Sequence, residues 1–247
     1  MKHARQDVLG RADRVLNDLT FGYVSDWIAA GAGRHAIGYL PMYVPREIIA
    51  AAGMLPVGIF GAGDALDIVK GDAYFQSYIC HIPRSVIEMA LDGRFKAFSG
   101  FIFPSICDVI RNLSGMWKMN FPNQYVKYLD FPQNFDPAVG GRFYRREIEE
   151  VMENLARISG RQVTDAELHA ATALYNKNRR LVQRLCDARR DAPHDHPTSE
   201  VYRIIRAGAV LTVDDHSRLV QDYLDAAGAE PLPEQDRIRV YLIVAFC

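Results

Sequence analysis

The chain has 247 residues and a mass of 27.8 kDa, 49% of its residues are apolar, and 29 Lys and Arg stand against 30 Asp and Glu for a net charge of −1. Such a length and apolar content exclude a disulfide miniprotein and a disordered chain, since a compact chain of this mass buries roughly three quarters of its unfolded surface. The balanced charge provides no whole-molecule field for holding a phosphate backbone, so no nucleic acid partner is expected.

The first residues, MKHARQD, carry no apolar core of a signal peptide. The long uncharged stretch from Ile48 to Gly63 holds Pro56 and four glycines and cannot cross a bilayer as a helix. The expectation is a soluble cytoplasmic chain with no membrane partner. Residues 4–19 place Val8, Ala12, Val15, Leu16 and Leu19 on one helical face, with Arg5, Arg11, Arg14 and Asp18 directed elsewhere, which predicts an amphipathic opening helix. From residue 35 the pattern changes to short apolar runs punctuated by Gly and Pro. His35–Tyr39, Leu55–Phe60, Phe98–Phe103 and Gln124–Leu129 read as strands. Between them, Pro45 and Pro83 mark first turns of helices, and Gly53 and Gly93 stand as stops. Strand alternating with helix predicts a parallel sheet covered on both faces.

Beyond Leu129 the pattern is helical for about a hundred residues. Glu147–Ile158 ends at Gly160, and Thr164 with Glu167 forms a capping box that opens a long helix toward Arg190. Its apolar positions Leu168, Ala171, Leu174, Leu181 and Leu185 require a partner surface, so this part is expected to pack as a layer on the α/β unit. The Ala192–Pro197 segment breaks the helix. Ser199–Ile205 and Asp214–Ala227 read as further helices and Arg239–Ala245 as a strand. The resulting division is an N-terminal helical segment (1–34), an α/β domain (35–135), a helical segment (136–236) and the first strand of a second α/β domain (237–247). A final strand with no helix to cover it reads as a chain cut short.

Four cysteines, Cys80, Cys107, Cys186 and Cys247, do not make a disulfide framework in a chain of this length. Cys80 precedes Pro83 by three residues, and Cys107 follows a strand at the start of a helical run. Both thiols thus fall at strand-to-helix turns on the carboxyl edge of the sheet, where binding sites gather and helix N-termini favour negative charge. They could meet around one metal centre. Their 27-residue separation is no zinc-knuckle spacing, and two ligands leave a zinc site or a four-cysteine cluster incomplete. The competing reading is a pair of small buried hydrophobes. Cys186, inside the long helix, reads as packing.

Other features invite weaker readings. Gly58–Leu66 follows a strand, yet its third glycine position is Leu66 and no acid stands about twenty residues beyond Gly63, so turn glycines are expected rather than a dinucleotide loop. His194 and His196 sit between Pro193 and Pro197, as in a surface loop. Lys177, Arg179, Arg180, Arg184, Arg189 and Arg190 read as a solvated basic helix face, and Met116, Trp117, Met119 and Phe121 as core.

Three stretches, GYLPMYVPREIIAAAGMLPVGIFG from Gly38, GDAYFQSYICHIPRS from Gly71 and FPSICDVIRNLSGMWKMNFP from Phe103, closely resemble the benzoyl-CoA reductase and 2-hydroxyacyl-CoA dehydratase family, over about residues 22–230. Within it the likeness is nearest to the branch that reduces aromatic rings. The resemblance implies a Rossmann-like α/β unit and an oxidoreductase subunit. Two homologous subunits pair as a heterodimer, each holding an iron–sulfur cluster of the 4Fe-4S type through three cysteines. Cys80 and Cys107 match the first two of these, and the third lies in a C-terminal α/β domain that this chain lacks. The resemblance further implies ATP-hydrolysing activator subunits, with ATP bound only there, ferredoxin as the indirect electron donor and a CoA thioester as substrate. The reaction implied is low-potential reduction of benzoyl-CoA to a cyclohexadiene carboxyl-CoA. The alternatives are ketyl-radical dehydration of a 2-hydroxyacyl-CoA and a cluster-free binding or scaffold subunit.

Overall fold

A computed structural model describes residues 2–229 and 231–233. The strand expected at Arg239–Ala245, Cys247 and the proposed boundary at 237 lie outside them. Four strands, β1 (Ala36–Tyr39), β2 (Leu55–Gly58), β3 (Gly100–Pro104) and β4 (Tyr125–Leu129), form one sheet in the order β2-β1-β3-β4. All three pairings are parallel, with Gly38 opposite both Val57 and Phe101, and Ile102 opposite Lys127. The strands are short and nearly uninterrupted in apolar character, as strands covered on two faces must be.

Connecting and flanking helices supply the covers. On one face lie α2 (Gly22–Ala29), α4 (His81–Leu91) and α5 (Asp108–Asn120), packed over Val57, Phe101 and Phe103. Phe101 is the hub of an aromatic cluster there, with Phe95, Phe98, Phe103 and Trp117 all within ring-contact distance. On the other face, α3 (Arg46–Ala51) and α6 (Arg142–Ser159) cover Ile37, Tyr39, Ile102 and Leu129. Alternation along β3, with Phe101 and Phe103 to one side and Ile102 to the other, is the period-2 signature that assigns each residue its face. Gly38 is needed where it stands, because a Cβ there would overlap the Phe101 ring.

The remaining helices, α1 (Lys2–Leu16), α7 (Asp165–Asp191), α8 (Thr198–Ala207) and α9 (Val213–Ala229), enclose a second apolar cluster around Leu9, Leu185, Ile204, Val220 and Tyr223. This helical layer is docked on the α/β unit. Arg46 of α3 lies over the Tyr175 ring of α7, and the Gly58 amide donates to the Ala209 carbonyl in the turn between α8 and α9 (2.7 Å). The capping box at Thr164 and the left-handed stop at Gly160 form as the sequence predicts.

Three expectations need correction. Arg5 points inward rather than to solvent: it is 4% exposed, pairs with Glu200 and donates to the Asp195 carbonyl, so its charge is buried with a partner. His196 is buried against Tyr223, not on the surface. Met119 is exposed at the end of α5, whereas Trp117 is fully buried. Helix α2 has no counterpart in the sequence reading. Among the described residues no helix is long and apolar enough to cross a membrane.

Candidate functional site

In the strand order the connections diverge between β1 and β3, one leading to β2 and the other to β4. The crevice outside the carboxyl ends of those strands is where an open parallel sheet binds its ligands. Cys107 follows β3 into this edge as the N-cap of α5, in extended backbone. Cys80 is the N-cap of α4, which follows β2 through the long 59–80 connection. Helices α4 and α5 are neighbours on one sheet face, so both thiols stand at the same end of the same layer. Both are exposed, which removes the reading of two buried hydrophobes. Cys186 is exposed as well, on the solvent side of α7, and does not fill the core.

The placement of Cys80 is built by side chains of α4 itself. Glu88, 3% exposed, accepts from the Val69 amide (2.9 Å) and the Gly71 amide (2.6 Å). Arg84 pairs with Asp72 and donates to the Ser77 carbonyl, and Ser85 Oγ receives the Ala62 amide (3.3 Å). The connection is thereby tied down along its length, and a carboxylate amid the apolar run Val86-Ile87-Glu88-Met89 is the sequence signal for it. Gly61 and Gly63 have φ of 80° and 54°, and a short 3₁₀ turn, not a long helix, follows them. They are turn glycines, as the broken dinucleotide pattern predicted.

Around Cys107 the backbone is fixed by β4. The Ser105 amide donates to the Leu129 carbonyl (2.9 Å), and the Ser105 hydroxyl accepts from the Phe131 amide (2.7 Å). Phe131 stacks on Tyr43 (5.0 Å) and meets Tyr144 edge-on (5.1 Å). Tyr43 and Met42 follow β1 with φ of 57° and 86°, a strained pair of non-glycine residues between Pro41 and Pro45. Such strain persists only where the surroundings over-determine it, and it concentrates at binding edges. Sequence reasoning did not single out these residues.

A cleft of about 690 Å³ opens at the carboxyl end of β2, lined by Phe60, Gly61, Ile82, Tyr202, Arg203 and Arg206. A smaller one of about 310 Å³ adjoins it at Phe60 and Arg206 and reaches Tyr39, Arg46 and His216. Burial pulls the His216 imidazole down to about 4, so the ring is neutral near pH 7. Among the described residues no group of three or more His, Cys, Asp or Glu converges in a way that would hold a metal ion. Two exposed thiols fit part of a cluster's ligand set, and the described residues do not complete it.

Cys80 and Cys107 thus occupy the N-cap positions of two neighbouring helices at the carboxyl edge of a parallel α/β sheet. Residues 41–244 match the family model for the D-component of 2-hydroxyglutaryl-CoA dehydratase, and the chain belongs to that family. It is 48% identical over 98% of its length to a subunit of the benzoyl-CoA reductase of Thauera aromatica, covering 62% of that protein. It is also 31% identical over 84% of its length to the beta subunit of (R)-2-hydroxyglutaryl-CoA dehydratase of Acidaminococcus fermentans, and 30% identical over 81% to the (R)-phenyllactyl-CoA dehydratase beta subunit of Clostridium sporogenes, covering 55% and 54% of those proteins. The chain thus spans between half and two thirds of the length of these relatives.

Proposed function

We propose that this chain is a subunit of a CoA-thioester reductase of the benzoyl-CoA reductase kind, in which Cys80 and Cys107 supply two thiolates to an iron–sulfur cluster. The observation that carries the reading is the pairing of two exposed thiols at the N-caps of neighbouring helices on one sheet edge. A cluster there supplies single electrons at low potential, which dearomatisation of a ring conjugated to a thioester carbonyl demands. The chain's own part is to position and insulate. Ser105, Glu88 and Arg84 hold the two turns, and the Phe101–Trp117 aromatic layer behind α4 and α5 keeps water from that side. The remaining cluster ligand comes from outside the described residues. A homologous partner subunit, an ATP-hydrolysing activator and ferredoxin upstream belong to the same proposal. Ketyl-radical dehydration is the second reading, favoured by the family model and by the two dehydratase relatives, though at lower identity.

The test is anaerobic co-expression of the chain with its partner subunit, followed by iron and sulfide analysis and low-temperature EPR of the reduced complex. Cys80→Ser and Cys107→Ser should each remove about one cluster's worth of iron from the complex, while Cys186→Ser should leave it unchanged. Full iron in both of the first two variants would sink the assignment.

A further inference from the structure

Tyr43 and Phe131 leave the sheet from different strands, β1 and β4, and the strand order sets β3 between them. Their stacked rings, 5.0 Å between centroids and 29° between planes, therefore bridge the carboxyl end of β3, the strand that leads through Ser105 to Cys107. The pair is held from several sides. The Phe131 amide donates to Ser105 Oγ, the Tyr144 ring meets Phe131 edge-on, and the Tyr144 hydroxyl donates to the Tyr43 carbonyl (3.2 Å). Tyr43 is nevertheless 51% exposed, and neither it nor Met42 joins an apolar cluster of the core. Two consecutive non-glycine residues in the left-handed region thus fix a ring whose outer part no core packing uses. A ring kept for stability would turn inward. This one is held rigid and presented at the edge where an open parallel sheet takes its ligands.

We propose that the Tyr43–Phe131 pair is an arene-binding shelf, on which the planar ring of an aromatic CoA thioester stacks beside the Cys107 turn. Aromatic rings favour offset or edge-on contact with one another at centroid distances of about 4.5–7 Å, and they gain by it beyond the area they bury. A saturated ring of similar size buries comparable area on the shelf and forgoes that gain. The pair thereby selects a planar acyl group over an aliphatic one. Placing the ring next to an electron-donating cluster rests on the function proposed above; arene binding at Tyr43 does not.

Saturation-transfer NMR titrations of the full chain with benzamide and with cyclohexanecarboxamide test the shelf, since the two probes differ in the ring alone. Benzamide should bind more tightly by about two- to tenfold, the range of one aromatic pair. Tyr43→Phe should keep that preference. Tyr43→Leu, which retains bulk and backbone conformation but has no flat face, should abolish it. Photolabelling of the wild-type chain with a diazirine-bearing benzamide, mapped by mass spectrometry, needs no variant to fold. Its adducts should fall on Met42–Val44 and on Phe131 and Pro132, and excess benzamide should remove them. Equal binding of the two probes, adducts elsewhere, or an unchanged preference in a folded Tyr43→Leu chain would overturn the proposal. A Tyr43→Leu chain that binds benzamide as the wild type does but no longer copurifies with the partner subunit would overturn it too, and would make the pair a subunit contact. Full iron in the cysteine variants, with the arene preference intact, would remove the neighbouring cluster and leave the shelf standing.

Discussion

His216 couples the docking of the helical layer to pH. The ring is 5% exposed, its Nδ1 accepts from Asn178 (3.0 Å), its Nε2 donates to the Ile204 carbonyl (3.1 Å), and Gly208 leaves the space it fills. Burial holds its pKa near 4, against an ordinary 6.5. The native state therefore refuses a proton that the unfolded state accepts. Stability from this group is complete above pH 6.5, declines as pH falls through that value and reaches its full loss below pH 4. The difference corresponds to about 3 kcal/mol, of which about 2 is lost by pH 5. Urea unfolding of the wild type and His216→Gln at about pH 7.5 and pH 5 isolates the effect. Asp18 and Asp215, whose carboxylates are held below their ordinary range by hydrogen bonds, also lose stability on acidification, but they are common to both proteins and cancel. The wild type should lose about 2 kcal/mol more than the variant between the two conditions. Equal losses would refute the reasoning.

Two further substitutions probe the scaffold of the candidate site. Gly61→Ala adds a Cβ at a left-handed position, where it also overlaps Ser85 Oγ, and is expected to destabilise the fold by about 1–3 kcal/mol in chemical denaturation, because both backbone strain and the Ala62–Ser85 contact are affected. Phe101→Ala empties the centre of the aromatic cluster and should cost about 3–5 kcal/mol, read from the urea midpoint at unchanged slope.

Local punctuation made the α/β unit legible. Pro45 and Gly53 bracket α3, Gly93 stops α4, and the four apolar runs became the four strands in register with that alternation. The carboxyl-edge position of Cys80 and Cys107 follows from the same pattern. What the chain hides is tertiary in origin. Arg5 carries every mark of a solvated residue until Glu200 arrives from far along the sequence. His196 lies in a proline-bracketed loop that nothing local buries, and Tyr223 covers it. Helix α2 escapes notice because its start depends on a left-handed Phe21 and on Asp18, which accepts from the Thr20 and Gly22 amides. The cavity between α3 and α7 to α9 is assembled from six separate segments, from Tyr39 of β1 to His216 of α9, and has no sequence motif at all.

The packing of α1 on α8 and α9 has a consequence for the order in which the molecule assembles. Arg5 finds Glu200 across 195 residues and the Asp195 carbonyl across 190, so α1 has no surface on α8 and α9 to occupy until those helices, nearly two hundred positions later, have been made. The entropic toll of closing so long a loop grows only as the logarithm of its length, about 0.6 kcal/mol for each doubling, and is no bar to the final state. It does set a sequence of events. The four-stranded unit, whose strand pairings span shorter distances along the chain, can consolidate while α1 waits as an unattached amphipathic segment with Leu9 and Val8 uncovered, and that waiting period is when the nascent chain most needs shielding from its neighbours.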